Sequence, residues 1–246
     1  MTLHWWEWLI LILVLVIVGG LLWAYFGARD IEVHLSQNPN LPQATLKEFY
    51  DKADNGDLIL LAGDTRGERS CKWATGSVFS HVGMLFRESH PDTKEDVLYI
   101  WEADIGQGSR KGPRVMFLKD KLQRYKGLKV FGWRQLIGPR PLTERILELV
   151  PRYSKMTLDS QMWPWILSSS LPLSRWSKNS KKVFCSELLT MTLQDLKMLD
   201  PKETPHRYSP QDFHQTEVLG LLPQWNYSKT TFVRFGAPKE PKGTLS

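Results

Sequence analysis

Positions 5–26 read WWEWLILILVLVIVGGLLWAYF, and no other feature narrows so far what the chain can become. From residue 9 to residue 27 there is no charge. At about 1.5 Å rise per residue, such a helix spans roughly the hydrocarbon thickness of a bilayer. Trp5, Trp6 and Trp8 crowd one end and Trp23 and Tyr25 the other, as expected of amphipathic rings at two membrane interfaces. A cleaved signal peptide fits less well, because a basic leader and a small-residue cleavage site are both missing. The reading is a single-pass transmembrane anchor over residues 1–28, with the lipid bilayer as partner. Arg29, Lys47 and Lys52 on its carboxyl side tilt the following domain toward the cytosolic face. Asn226-Tyr227-Ser228 is a glycosylation sequon that would matter only in a lumenal domain.

The remainder of the 246 residues suffices for one well-packed domain. Residues 29–44 carry two prolines and no sustained periodicity, and are expected to form a juxtamembrane linker. Residues 45–236 are expected to form one catalytic domain, and 237–246 a flexible tail. Thr45 and Glu48 form a capping box for a short helix through residue 54. Apolar runs at 58–61, 81–86, 97–103, 130–134 and 230–235 predict strands, and residues 70–80 a helical turn or two. A helix is expected over 143–155, kinked or ended by Pro151, and another from Cys185 to about Leu199. Between them, segment 159–182 is rich in Trp, Pro and Ser and predicts a long irregular loop bearing aromatics. Strands in hairpin-like succession, not alternating one-for-one with helices, indicate an α+β fold.

The net charge of +6 permits anionic partners, but the basic residues are interleaved with acids, as in Lys119-Asp120-Lys121. With no arginine-rich arm, zinc-finger spacing or RNA-binding signature, no nucleic-acid partner is expected. Two cysteines make neither a disulfide framework nor a thiolate metal site.

Cys185 stands where an apolar lead (Val183, Phe184) meets a run of helix formers. A thiolate at a helix amino terminus is stabilised, and a neighbouring imidazolium stabilises it further. The alternative is an inert buried thiol, the reading kept for Cys71. A Cys71–Cys185 disulfide would abolish the nucleophile. Of six histidines only His81 begins an apolar strand, where its imidazole is held rigidly enough for general-base work. The next strand supplies Glu102, with Asp104 two residues on and so on the same face. Either carboxylate could fix the imidazole, and Glu102 is the first choice. Glu187, in the first turn after Cys185, reads as a structural complement to the helix dipole.

The segments GDLILL, GSVFSHVGMLF, LYIWEAD and VFCSELL, in that order, resemble the circularly permuted papain-fold hydrolases of the NlpC superfamily, especially the YiiX/YaeF-like amidase group. Lecithin:retinol acyltransferase-like proteins are more distant relatives. The resemblance covers roughly residues 55–196, with a further match at Tyr208-Ser209-Pro210-Gln211-Asp212. It implies a permuted papain-like fold in which an antiparallel sheet packs against the cysteine-bearing helix. It also implies Cys185 as nucleophile, His81 as base and Glu102 as the third polar residue of a thiol hydrolase working through an acyl-enzyme. No metal or organic cofactor is required by that chemistry. The implied substrate is a peptide amide or a lipid acyl ester. Alternatives within the same resemblance are a lipid acyltransferase or phospholipase, and a non-enzymatic membrane-tethered binding or scaffold protein. The sequence does not set the oligomeric state.

Overall fold

The computed structural model describes residues 4–26, 30–104, 111–125, 128–158, 181–215 and 218–235. The aromatic-rich segment 163–176 and the tail 237–246 therefore lie outside the described residues. What is described is a mixed α+β fold built on one large sheet with several helices.

The first helix, α1 (Trp5–Phe26), corrects the sequence reading. Among the described residues no helix is long and apolar enough to cross a membrane. Glu7 lies in the first turn of α1 and accepts the His4 amide. The expectations of a transmembrane helix and of a single-pass membrane protein with its domain on the cytosolic side are overturned by this finding.

Helix α2 (Ile31–Gln37) follows within the stretch expected to be a linker, capped by the Asp30 side chain, with Ile31 and Leu35 buried. Strand β1 (Gln43–Thr45) leads into α3 (Leu46–Lys52), whose Thr45/Glu48 capping box forms as the sequence indicates. Then come β2 (Leu58–Leu61), α4 (Arg66–Thr75), β3 (His81–Ser89) and β4 (Asp96–Asp104). Helix α4 begins earlier than the apolar pattern suggests, because Thr65 and Glu68 form a second capping box. Two elements absent from the sequence reading come next, β5 (Gly112–Phe117) and α5 (Leu118–Arg124). β5 opens on Gly-Pro, a breaker signal, but it is the edge strand, where proline forfeits no ladder bond. Strands β6 (Val130–Arg134) and β7 (Leu136–Ile137) precede α6 (Thr143–Leu147) and α7 (Leu149–Tyr153). The break between these helices falls at Glu148, because the ring of Pro151 cannot be accommodated over the carbonyl of Leu147 four residues back. After β8 (Thr157–Leu158) and β9 (Lys182–Val183) runs α8 (Cys185–Asp195). A 3-10 turn (Pro205–Arg207), α9 (Pro210–His214), β10 (Asn226–Tyr227) and β11 (Thr231–Arg234) complete the order.

The main sheet has seven strands in the order β1-β11-β6-β2-β3-β4-β5, antiparallel except for the β1–β11 pair. Alternation along its central strands divides the interior in two. Val82, Met84 and Trp101 face one core, which takes Leu188, Leu189 and Leu193 of α8. Leu85, Ile100 and Met116 face the other, closed by Phe49 of α3 and by Leu118 and Leu122 of α5. At roughly 2 kcal/mol for each large apolar side chain fully buried, these two layers supply the main drive to fold. Between them runs a sheet end that carries polar residues.

One buried cation ties the last third of the chain to this sheet. Arg134 ends β6 and donates to the carbonyls of Phe213, Gln215, Tyr227 and Ser228. It is wholly buried and spends its planar fork on backbone acceptors.

Candidate active site

Ser80, His81 and Gly83 of the SHVG segment have different duties. The Ser80 hydroxyl accepts the Gly63 amide and donates to the Leu61 carbonyl, fixing β3 against β2. His81 is the first residue of β3 and is buried. Gly83 leaves space for Ile100, whose side chain would lie 2.7 Å from an added Cβ.

His81 Nε2 lies 2.7 Å from Glu102 Oε2, and the Glu102 side chain is fully buried. Cys185, the first residue of α8, interacts with this imidazole, and each charge favours the charged form of the other. The three residues singled out in the sequence are thus brought together, from β3, β4 and α8. Asp104 is not the partner of His81; its carboxylate accepts from Arg114 at 2.7 Å and Lys121 at 2.6 Å.

The local sequence explains the placement of the thiol. Phe184 is extended, which is the N-cap conformation, and α8 starts at Cys185. Glu187 accepts the Phe184 amide, the structural task expected of it. Thr190 and Thr192 are buried and return their hydroxyls to the carbonyls of Ser186 and Leu188. Thr192 also accepts the Trp101 indole N–H at 2.9 Å, pinning the helix to β4.

Electrostatics separate the two thiols. Burial pushes the Cys185 thiol up, but the charge and hydrogen bond of His81, with the Val82 and Ser186 amides, bring it below the ordinary value. For His81, burial and the Lys121 ammonium act downward. The Cys185 and Glu102 charges outweigh them and raise the imidazole to about 10. Burial would raise Glu102, yet the cations of Lys121 and His81 lower it to about 2. The site therefore favours a thiolate–imidazolium pair beside an ionised carboxylate. Cys71 is the opposite case: burial, with the Cys185 and Glu68 charges, pushes it up to about 12. Its sulfur lies 3.7 Å from the Ser80 carbonyl, and both cysteines are free thiols.

Two residues at this site escaped the sequence reading. Lys121 is fully buried, with its Nζ 2.6 Å from Glu102 Oε2. Arg114 pairs with Glu102 across β4 and β5 and donates to Oε1 from Nε at 3.1 Å and from a terminal nitrogen at 2.9 Å. A signal for Lys121 exists: it shares a helical face with Leu118 and Leu122, the buried stripe of α5. Read only as part of Lys-Asp-Lys, it passes for surface charge.

Chemically, this sequence of groups can pass a proton from sulfur to imidazole and leave a nucleophile at a helix start. The first-turn amides of α8 lack intrahelical acceptors, so they can serve a developing oxyanion. Among the described residues no group of three His, Cys, Asp or Glu side chains could hold a metal ion. An open groove of about 390 Å³ between α7 and α8, lined by Tyr153, Glu187 and Met191, does not include Cys185.

No protein-family model matches the chain, and no curated protein matches it. Among solved structures there is a weak likeness to the crystal structure of metalloprotein yiiX from Escherichia coli O157:H7. That likeness has a TM-score of 0.41 and 15% sequence identity, and covers 72% of this chain and 97% of that one.

Proposed function

We propose that the protein is a thiol hydrolase of permuted papain-like fold that cleaves an amide or ester through an acyl-enzyme on Cys185. One observation carries this reading: His81 meets buried Glu102 at 2.7 Å and is electrostatically coupled to a thiol at the first position of a helix.

His81 takes the Cys185 proton, and the thiolate adds to the substrate carbonyl carbon. The oxyanion so formed lies toward the amides at the start of α8. As the carbon–nitrogen or carbon–oxygen bond breaks, the imidazolium returns the proton to the departing amine or alcohol, leaving a thioester. Water then adds to the thioester carbonyl while His81 removes its proton. The carbon–sulfur bond breaks and the acid departs. Glu102 keeps the ring oriented. The nucleophile, base and orienting group in this sequence are all protein-borne, and the substrate is a peptide amide or a lipid ester.

The test is labelling with a thiol-reactive acyl probe, mapped by peptide mass spectrometry. Cys185 is expected to label at least tenfold faster than Cys71, and His81→Ala to remove the difference. Equal labelling, unaffected by His81→Ala, would overturn the enzymatic reading and leave a binding or scaffold role. The mass of the acyl group trapped on Cys185 from a cell extract then separates peptide amides from lipid esters.

A further inference from the structure

The Glu102 carboxylate has all of its acceptor positions occupied. Oε2 meets His81 at 2.7 Å and Lys121 at 2.6 Å, while Oε1 takes two donors from Arg114. Ionised carboxylates offer about four lone-pair sites, so no direction remains for Glu102 to swing toward water or substrate. Asp104 receives the same two cations at 2.7 and 2.6 Å. Among the described residues, two carboxylates therefore face one guanidinium and one ammonium, and these four charges are balanced before His81 gains a proton. An ammonium with no exposed side-chain surface is costly to bury, and a site needing only an acceptor for the imidazole would not require it.

We propose that Lys121, Arg114 and Asp104 are positioning residues that together with Glu102 form a neutral set, the two cations cancelling the two carboxylates, so that the imidazolium of His81 is balanced by the Cys185 thiolate and not by Glu102. This rests on the hydrolase reading for its purpose. It goes beyond it in assigning the stability of the ion pair to a second layer of charge. The groups facing His81 are Glu102 and Asp104 from β4, Arg114 from β5, Lys121 from α5 and Cys185 from α8. Tyr125 stands at the end of α5 with the Lys121 ammonium 5.1 Å from its ring centroid, and Glu68 and Cys71 lie on α4. If the set is neutral by design, removing a cation leaves surplus negative charge that holds the imidazolium proton more tightly. Removing Asp104 leaves surplus positive charge and does the reverse.

The experiment measures the rate of Cys185 alkylation by iodoacetamide against pH in the full chain, in a Cys71→Ser background. Both limbs of the profile are followed by intact mass. Lys121→Met is expected to move the alkaline limb, where His81 loses its proton, upward by about one unit, a tenfold change in proton affinity. Asp104→Asn should move it downward, and the Lys121→Met/Asp104→Asn double variant should return it close to the parent. Arg114→Gln and Asp104→Asn alter partly exposed positions and give the same two opposed shifts should Lys121→Met fail to fold. Rates that fall while the limb stays put in every folded variant would reduce these residues to scaffolding and overturn the proposal. Absence of any His81-dependent acceleration in the parent would instead overturn the hydrolase reading.

Discussion

Trp101 and Glu102 are consecutive on β4 and point to opposite faces of the sheet. One holds the Cys185-bearing helix through Thr192, and the other holds the imidazole. A single strand thus sets the spacing between Cys185 and His81, because successive side chains alternate across a pleated sheet. Losing either contact should disturb the same sulfur–imidazole distance from opposite sides.

Trp101→Phe keeps most of the buried area and removes the indole donor. It is expected to cost about 1–3 kcal/mol. A double-mutant cycle with Thr192→Val, read by denaturant unfolding, should return a coupling of about 1 kcal/mol. The Trp101→Phe variant should also slow Cys185 alkylation, although it touches no reacting atom.

Glu102→Gln should destabilise the fold by about 3–5 kcal/mol at neutral pH, since Lys121 and Arg114 then face a neutral amide. The pH dependence has a definite sign. Glu102 is lowered from 4.5 to about 2 on folding, and Asp104 is also lowered, chiefly by the His81 and Lys121 charges against the effect of burial. Their contribution is complete above the unfolded carboxylate values and is lost as pH falls through the folded ones. Unfolding followed by circular dichroism from pH 6 to pH 2 should show a steep loss in the parent, and a shallower one in Glu102→Gln.

His81 has the reverse sign. Raised from 6.5 to about 10 in the fold, it contributes stability that is complete below the unfolded value and is lost as pH rises through about 10. Melting temperature measured between pH 6 and pH 11 should fall along the alkaline side in the parent. The fall should be smaller in His81→Gln, where no imidazolium forms.

Arg134→Met strands buried carbonyls of Phe213 and Tyr227 along with those of Gln215 and Ser228. A loss of about 3 kcal/mol or more is expected. Hydrogen exchange should quicken first in α9 and β10, which it staples to β6. Arg134→Lys should rescue little, because an ammonium cannot reach four carbonyls spread around a planar fork.

Gly83→Ala probes the close approach of β3 to β4 next to His81. The added methyl would meet the Ile100 side chain at 2.7 Å and the Trp101 carbonyl at 3.1 Å. Overpacking of this kind costs about 1–3 kcal/mol. The shift should show as a lower melting temperature together with slower His81-dependent alkylation of Cys185.

The sequence by itself determined the elements whose signals are local. The capping box at Thr45 and Glu48, the apolar strand 58–61, the strand opened by His81 and the helix opened by Cys185 all follow from near-neighbour chemistry. The α+β class followed from their order. Only the tertiary structure decided which carboxylate meets His81, because Glu102 and Asp104 share a face and differ in what lies across from them. Arg114 and Lys121 come from an edge strand and a helix whose local signals, Gly-Pro and Lys-Asp-Lys, point away from burial. Their charges become necessary only when two carboxylates are enclosed together, a demand that no linear pattern expresses. The apolar run at the amino terminus shows the converse: hydropathy read along the chain indicated a membrane span, and among the described residues no helix is long and apolar enough to make one.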